Sequence, residues 1–354
     1  MRILFLTQVL DRQDATLGFV PRWVESFAAR AERVRVVALS IGDISGLAEN
    51  VDVRVVGRKG TLGRYLRFRS FLREALVKEG FDVVLAHMIP RYAIVAAGPA
   101  RRSQARLFLW YTHGAVDKRL RKAERVVERI FTASEESLRL DTPKKLVTGH
   151  GIDLEHFDAR GTAPLGAPRL LSVGRMSPKK DALTLIEALS ALVAEGRDVA
   201  LDLVGGGMVA LDLEYEKKVR QRIAELGLGQ RVVLHEPVSY LRIPDFYRKA
   251  SVCLNASLTG SLDKVVLEAM ACERPVLSCS DAFPRTVASL GEQARQLCFQ
   301  PGDARDLSAK LRAMLDQPAA LRAELGAELR AIVARDHEID GLVARLIGVM
   351  EAPQ

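Results

Sequence analysis

The sequence predicts an α/β protein with two domains, each built on a parallel sheet with helices on both faces. Three observations lead to this prediction. Apolar strands alternate with amphipathic helices, and the alternation starts again in the second half of the chain. A Gly-, Pro- and Ala-rich segment separates the halves at residues 159–168. The length of 354 residues is enough for two domains of ordinary size. We therefore expect domains at 1–163 and 164–338.

The first half carries apolar strand patterns, each followed by a loop or an amphipathic helix. Because ligands bind at the carboxyl ends of parallel strands, the loops that follow strands hold the candidate site residues. Gly18 in the loop after the first strand and His113 after the fourth are two such candidates. The predicted elements are strands at 2–7, Val34–Leu39, Phe81–His87, Leu107–Tyr111, Ile130–Ser134 and Leu146–Thr148, and helices at Phe19–Ala31 and Lys118–Arg129.

The stretch Arg58–Arg73 interleaves arginines with apolar residues at helical spacing. One interpretation is a helix packed on the sheet with its arginines in water. The other is a surface that docks anionic lipid headgroups or a lipid-linked diphosphate acceptor. The two interpretations are partly compatible.

The second half repeats the strand–helix alternation up to the C-terminus. Its predicted strands are Leu170–Val173, Val199–Val204, Val232–Leu234, Val252–Asn255 and Gln296–Phe299. Its predicted helices are one ending near Glu195, then 240–250, a helix from Asp263 that ends before Pro275, Ala304–Leu315, Ala319–Ala334 and Ile339–Met350.

Two loops of the second half have the composition of an anion site. Arg175 and Lys180 are five residues apart in the turn after the first strand, beside a helix N-terminus. The helix that opens near Asp263 presents unpaired amides, and the loop before it contributes Gly260, Ser261 and Leu262. This pattern suits a diphosphate. Gly205, which ends another strand, permits close approach of a ligand.

Glu268 is a carboxylate on an otherwise apolar helix, so it must have a partner or face a cleft. An ordinary surface position beside Lys264 is the alternative.

Composition limits the function classes. A hydrophobic fraction of 48% and a mean hydropathy of +0.05 indicate a soluble globular protein. The N-terminus becomes charged too early for a signal peptide, so we expect a cytoplasmic protein. Four cysteines without metal-type spacing predict buried free thiols. The net charge of +8 favours an anionic partner, and no nucleic-acid motif accompanies it.

The second half resembles the family-4 retaining glycosyltransferases of the bacterial group-1 type. Their pattern is Glu, seven residues, Glu-Ala-Met-Ala and then Pro-Val, which Glu268 to Ala271, Pro275 and Val276 match. Arg175 and Lys180 match a Gly-Arg-x-x-x-x-Lys element. The segment Thr148–Phe157 resembles the interdomain junction. Gly260 stands where the family has its first glutamate, which is the main departure.

The resemblance implies the GT-B architecture, in which two Rossmann-like doubly wound domains face each other across a cleft. The first domain would bind the acceptor and the second the nucleotide sugar, and the stretch 339–354 would pack back on the first. A hexosyltransferase that retains configuration and needs no metal or other cofactor is implied, in keeping with the lack of an Asp-x-Asp motif at a strand end.

The resemblance also implies residue roles. Arg175 and Lys180 would hold the diphosphate, Glu268 the ribose, and His113 the transferred sugar. Pro237 and Val238 lie where the family's loop wraps the base.

The acceptor predicted from these features is a glycan or a lipid-linked molecule of cell-envelope polysaccharide or glycolipid synthesis, with peripheral contact to an anionic membrane surface and no nucleic acid. Gly260 leaves three outcomes: altered sugar specificity, a shifted carboxylate at Asp263, or donor binding without turnover. Two further function classes stay open at this point, a GT-B sugar-nucleotide epimerase and a basic protein that binds nucleic acid or a membrane surface.

Overall fold

A computed structural model describes residues 1–58, 60–159, 166–207 and 209–353. The chain divides into two compact units. Unit 1 comprises Met1–Asp153, Ser239–Leu241 and Asp336–Gln354, and unit 2 comprises Leu154–Val238 and Arg242–Arg335. The predicted boundary at residue 163 lies outside the described residues.

Unit 1 is built on a seven-stranded sheet in which every neighbouring pair of strands is parallel. Its strand order is β3-β2-β1-β4-β5-β6-β7, so the order reverses between β1 and β4. The strands are β1 (Arg2–Leu10), β2 (Arg33–Ile41), β3 (Val51–Val55), β4 (Val83–His87), β5 (Arg106–Trp110), β6 (Arg129–Thr132) and β7 (Lys145–Val147).

The helices of unit 1 cover both faces of this sheet because the strands are apolar on both sides. One face packs α1 and α13, with Trp23, Phe27 and Leu346 in the core; the other packs α2 and α3, with Phe68 and Ala96. The helices are α1 (Val20–Ala28), α2 (Thr61–Arg73) with a π-helical continuation at Glu74–Lys78, α3 (Pro90–Ser103), α4 (Lys118–Glu124) and, at the C-terminus, α13 (Ile339–Glu351).

Unit 2 repeats the design with five parallel strands in the order β10-β9-β8-β11-β12. Its strands are β8 (Arg169–Val173), β9 (Ala200–Val204), β10 (Val232–His235), β11 (Val252–Asn255) and β12 (Val276–Ser278). Its helices are α5 (Ala182–Ala194), α6 (Ala210–Glu225), α7 (Ile243–Lys249), α8 (Lys264–Ala271), α9 (Phe283–Thr286), α10 (Gln293–Leu297), α11 (Ala304–Asp316) and α12 (Ala319–Asp336).

The predicted parallel α/β class is confirmed, and the structure corrects some elements. The predicted strand Gln296–Phe299 is wrong: its first two residues end α10, and Cys298 forms only an isolated bridge with Ser278. The predicted helix Lys118–Arg129 ends at Glu124, because Arg129 begins β6 and pairs with β5. Helix α6 was not predicted.

Several composition-based expectations can be compared with the structure. The four cysteines are free thiols, and Cys253, Cys272 and Cys279 are buried. No helix in the described part of the chain combines the length and apolarity that a membrane span requires. The described residues also contain no group of three or more His, Cys, Asp or Glu side chains placed to hold a metal ion.

Arg35 is a charged side chain in the interior of unit 1, with only 1% of it exposed. Its Nε donates to Asp52 Oδ2 at 2.5 Å and its Nη1 to Glu79 Oε1 at 2.7 Å. The guanidinium also lies 5.2 Å from the ring centroid of Phe81. The hydrogen bond from Arg35 holds the pKa of Glu79 below its usual value. Arg35 therefore ties β2 to β3 and to the segment before β4.

We expect Arg35→Met to lower the free energy of unfolding by about 1.5–3 kcal/mol, because its charged hydrogen bonds to Asp52 and Glu79 are lost while Arg33 still pairs with both carboxylates. Urea unfolding followed by tryptophan fluorescence measures this loss in unit 1, whose core contains both Trp23 and Trp110. Arg54→Met is the matched control, since Arg54 pairs with the same Asp52 at 2.9 Å but is 38% exposed. The control should lose about 1 kcal/mol or less. Equal losses for the two variants would contradict a special role for Arg35.

Candidate functional site

The strand order of unit 2 reverses between β8 and β11, which are direct neighbours. In open parallel sheets, the loops that leave the strands at such a point diverge and open a crevice for ligands. The loop after β8 carries Arg175 and Lys180, and the loop after β11 leads to α8. The fold therefore brings the two predicted anion-binding loops to one edge of one sheet.

Lys180 and Asp263 form an ion pair at this edge, with 2.6 Å between Nζ and Oδ2. The same ammonium donates to Ser257 Oγ at 3.3 Å, and Asn255 Nδ2 donates to Asp263 Oδ2 at 2.9 Å. Asp263 is the N-cap residue of α8, yet its side chain does not cap the helix. Its carboxylate is bound to Lys180 and Asn255, so the N-terminal amides of α8 are not capped by this side chain.

Arg175 lines a small cavity together with Lys180, Asn255 and Ala182, the first residue of α5. The volume of the cavity is about 20 Å³, which admits a water but no diphosphate. Arg175 itself is exposed, and within the described part of the chain it has no ion-pair partner. A diphosphate at this site would thus lie over the cavity, or would need the Asp263 side chain to move.

Glycines let the loops after β8 and β9 touch each other. Gly205 has φ +126°, and a Cβ on it would lie 2.2 Å from the carbonyl oxygen of Gly174. Only glycine fits this contact. The neighbouring Gly206 lies against Pro237, whose Cδ would be 3.1 Å from an added Cβ. Pro237 is exposed and Val238 is half-buried. Both residues follow β10, whose last residue His235 pairs with Val204, so they lie at the same edge of the sheet as Gly205.

The segment before α8 is tightly packed. Gly260 has φ +72°, a left-handed conformation that a glutamate adopts only with strain. Ser261 and Leu262 are buried, and Ser261 accepts a hydrogen bond from Ser280 Oγ at 2.9 Å through its carbonyl. The hydroxyl oxygens of Ser261 and Ser177 are buried and have no hydrogen-bond partner among the described residues. Buried hydroxyls normally have one, and a bound water would supply it for each of these two.

Glu268 is 5% exposed, and its Oε2 accepts a hydrogen bond from Tyr247 Oη at 3.1 Å. Burial raises the pKa of Glu268, and the nearby charge of Lys264 opposes the rise. Burial also lowers the pKa of Lys264. Glu268 is not among the described residues that line the cavity of Arg175 and Lys180. The structure thus brings Arg175, Lys180 and Asp263 together but places Glu268 in the interior beside α7.

Two predicted site residues belong to unit 1. His113 is exposed, and its Nδ1 accepts a hydrogen bond from the Ala115 amide at 3.0 Å, which leaves the proton of the neutral ring on Nε2. Gly18 packs against its own chain, since a Cβ there would lie 2.3 Å from Tyr240 Cβ and 2.5 Å from the Asp14 carbonyl oxygen. The glycine at position 18 is therefore required by packing within unit 1, and its donor-binding role stays a prediction.

Three polar residues of the site were not among the predicted ones. Asn255 and Ser257 hold Asp263 and Lys180, and Tyr247 holds Glu268. The sequence pattern could have indicated Asn255 as a site residue, because it is a polar residue at the carboxyl end of an apolar strand. No sequence pattern could have indicated Tyr247, because its partner Glu268 is 21 residues away on another helix.

Comparison with known proteins bears on the fold and the family. Residues 155–331, half of the chain, match the family model "Glycosyl transferases group 1". A D-inositol 3-phosphate glycosyltransferase of Catenulispora acidiphila is 27% identical over 266 residues, which cover 70% of this chain and 60% of that protein. Its counterpart in Thermobispora bispora is 29% identical over 215 residues, covering 57% of this chain and 50% of that protein. The chain thus spans about 50 to 60% of these relatives.

Solved structures share the fold over nearly the whole chain. The Anabaena protein HepE in complex with UDP has a TM-score of 0.77 and 19% identity, with 99% of each chain covered. A glycosyltransferase of Rickettsia africae has a TM-score of 0.77 and 16% identity, with 98% of each chain covered. The predicted GT-B fold class is confirmed, and with the family match it follows that this chain belongs to the group 1 glycosyl transferases.

Proposed function

We propose that the chain transfers a hexose, with retention of configuration, from a nucleoside-diphosphate sugar to an acceptor. The observation that carries this proposal is the cluster of Lys180, Asp263 and Asn255 at the switch point of unit 2, with Arg175 beside it. The names of the relatives support sugar transfer. HepE, which shares the fold, has been solved with UDP and with UDP-glucose, which supports a nucleotide sugar as the donor.

The chemical demand of this reaction is the departure of the nucleoside diphosphate while the anomeric carbon gains positive charge. Arg175, Lys180 and the N-terminal amides of α8 would stabilise the negative charge that develops on the leaving phosphate. Each such preorganised donor is worth roughly 2–4 kcal/mol in the transition state. No enzymic nucleophile is required if the leaving phosphate takes the proton of the acceptor on the same face.

Asp263 is the residue that adjusts the donor site. A diphosphate that binds Lys180 meets a carboxylate already 2.6 Å from the ammonium, so the two anions compete for one cation. The carboxylate would turn from Lys180 toward the sugar when the donor binds. This is how Asp263 would supply the carboxylate that Gly260 does not, three residues farther along the chain.

The other predicted roles belong to this proposal as well. Glu268 would accept hydrogen bonds from the ribose if its bond with Tyr247 reorganises, and Pro237 and Val238 would contact the base. His113 Nε2 would donate to a sugar hydroxyl. We propose no cofactor or metal.

The acceptor is proposed to be a glycan or lipid-linked molecule of cell-envelope synthesis, bound by unit 1, in a cytoplasmic enzyme with peripheral contact to an anionic membrane surface. Exposed Leu62 and Tyr65 on the arginine-rich helix α2 support this contact. The relatives are named for inositol phosphate, which supports an anionic acceptor. Donor binding without turnover and sugar-nucleotide epimerisation are the alternatives, and a nucleic-acid binding protein would leave the unit 2 cluster unexplained.

The test of the function is incubation of the protein with a panel of nucleotide sugars and candidate acceptors, with nucleoside-diphosphate release as the readout. Proton NMR of the product then reports the anomeric configuration. Binding of a nucleotide without release for any sugar would favour a donor-binding protein. Inversion of configuration would disprove retention.

We expect Lys180→Met to weaken UDP binding at least tenfold and to lower kcat/KM by about 10²–10³, because the cation on the leaving phosphate is lost. Isothermal titration calorimetry and initial rates measure the two effects. Lys179→Met is the matched control, since Lys179 is the adjacent exposed lysine and does not line the cavity of Arg175. Similar losses in both variants would indicate a general charge effect instead of a site at Lys180.

We expect Asp263→Asn to bind UDP more tightly, by roughly three- to tenfold, because the competing negative charge is removed while the shape is kept. The same variant should turn over more slowly if the carboxylate acts on the sugar. Asp245→Asn, which changes an exposed carboxylate of α7, should leave both quantities unchanged. Weaker UDP binding in Asp263→Asn would mean that this residue positions Lys180 and does not compete with the ligand.

A further inference from the structure

We propose that a large cavity in unit 1 binds an amphiphilic acceptor, a molecule with an apolar chain and a phosphate group. This inference deepens the proposed function by naming the acceptor class. The binding step itself is independent of turnover, so it can be tested by itself.

The cavity lies at the carboxyl edge of the unit 1 sheet and has a volume of about 1060 Å³. Residues from the ends of β1, β2 and β4 line it, and helices α2 and α3 form two of its walls. The strand order of unit 1 reverses between β1 and β4, so this edge is where the topology opens a crevice. The volume is at the upper end of the range for small-molecule sites.

The lining of the cavity is mainly apolar. A free sugar presents hydroxyls on all sides, and each hydroxyl buried against such walls without a partner would cost free energy. An alkyl or prenyl chain instead gains affinity with each CH₂ that it buries. The lining therefore favours a ligand with an aliphatic part. The apolar and aromatic members of the lining are Leu17, Leu39, Val56, Leu62, Tyr65, Phe68, Met88, Ile89, Pro90, Tyr92, Val95, Tyr111 and Ala115.

The charges of the lining favour an anionic group on the same ligand. Arg64, Arg91 and Arg119 line the cavity, against one carboxylate, Asp117. Asp117 Oδ1 accepts from the Leu120 amide at 2.7 Å as the cap of α4. Within the described residues, none of the three arginines has a carboxylate partner. Their guanidinium groups are thus available to a phosphate, which accepts paired hydrogen bonds from arginine.

Tyr92 lines the cavity and contributes both an aromatic ring and a hydroxyl group. It is 7% exposed, and burial raises its pKa to about 12 although the charges of Arg64 and Arg91 act against the rise. Its hydroxyl therefore stays protonated at neutral pH and is a hydrogen-bond donor. Its ring lies 5.2 Å from that of Phe68, centroid to centroid, so this donor belongs to the aromatic part of the wall that Arg64 and Arg91 also line.

His113 also lines this cavity, which connects the binding site to the proposed chemistry. Its Nε2 carries the proton of the neutral ring, as its Nδ1 accepts the Ala115 amide. A ligand in this cavity thus shares its walls with a ring N–H that can donate to a hydroxyl.

The test compares three probes by isothermal titration calorimetry below their critical micelle concentrations. Decyl phosphate has both the chain and the anion, decyl β-glucoside has the chain without the anion, and inositol 1-phosphate has the anion without the chain. We expect decyl phosphate to bind at one site and at least roughly tenfold more tightly than either of the others. If inositol 1-phosphate binds as tightly as decyl phosphate, the apolar walls contribute nothing and the inference is overturned. Equal binding of the glucoside would overturn the role of the arginines.

Variants on two helices test whether this cavity is the site. Leu62→Glu changes an exposed wall residue of α2, and Leu66→Glu changes another exposed leucine of the same helix that does not line the cavity. Arg91→Gln near the start of α3 is matched by Arg102→Gln near its end. We expect Leu62→Glu and Arg91→Gln to weaken decyl phosphate binding roughly three- to tenfold, and the two controls to leave it unchanged.

These residues are exposed, so loss of folding is not expected, and an unchanged melting temperature checks this. Equal effects of Leu62→Glu and Leu66→Glu would point to unspecific adsorption on α2 and would overturn the site. Binding of UDP to each variant separates this inference from the proposed function. Loss of decyl phosphate binding with retained UDP binding supports the cavity, whereas absence of UDP binding in the unmodified protein would contradict the donor site without affecting the cavity.

Discussion

The proposed active site depends on the ion pair between Lys180 and Asp263. The two residues are 83 positions apart in the chain, and their charged atoms are 2.6 Å apart. Strand order creates this contact, because β8 and β11 are neighbours although β9, β10 and three helices lie between them in sequence. The loops that leave these strands must then diverge, and their polar residues share one edge of the sheet.

The pair also sets what the site can bind. A half-buried ammonium without a partner would destabilise unit 2, and the Asp263 carboxylate removes that cost in the free protein. A ligand that replaces Asp263 must then interact with Lys180 and its surroundings more strongly than one carboxylate does. A diphosphate does so, since it carries more charge and can also accept bonds from Arg175 and from the amides of α8. A simple carboxylate ligand gains little by the exchange, so the internal partner favours phosphorylated donors.

Much of the fold could be predicted from the sequence because the strands are continuous apolar runs and glycines mark the turns. The strand Val252–Asn255 and the positions of Arg175 and Lys180 after β8 are examples. Helix α6 was not predicted because it is charged along most of its length, with Tyr215, Val219 and Ile223 at four-residue spacing as its only buried apolar positions. The stretch Gln296–Phe299 is apolar enough for a strand, but Gln296 and Leu297 end a short helix and Cys298 forms only an isolated bridge.

Side-chain partners were harder to predict than elements. The spacing around Glu268 indicates a functional carboxylate, whereas the structure turns it toward Tyr247, because α7 packs beside α8 and buries that face. Gly260 is a similar case. Its φ of +72° is a left-handed backbone conformation that favours glycine. The loop conformation alone therefore disfavours a glutamate at this position, whatever the chemistry of the site.

The two units treat their cations in opposite ways, and this difference bears on what each unit binds. In unit 2, Lys180 is held by the Asp263 carboxylate beside closely packed glycine loops, so the proposed donor would exchange one anion for another at this cation. In unit 1, Arg64 and Arg91 line an apolar cavity and have no acidic partner among the described residues, so the proposed ligand would fill space and add the missing charge. Exchange of anions at Lys180 would favour a ligand of high charge density, whereas filling of the unit 1 cavity would favour a ligand of matching shape and apolar area. The two proposed sites would each place part of the net charge of +8 beside an anionic ligand.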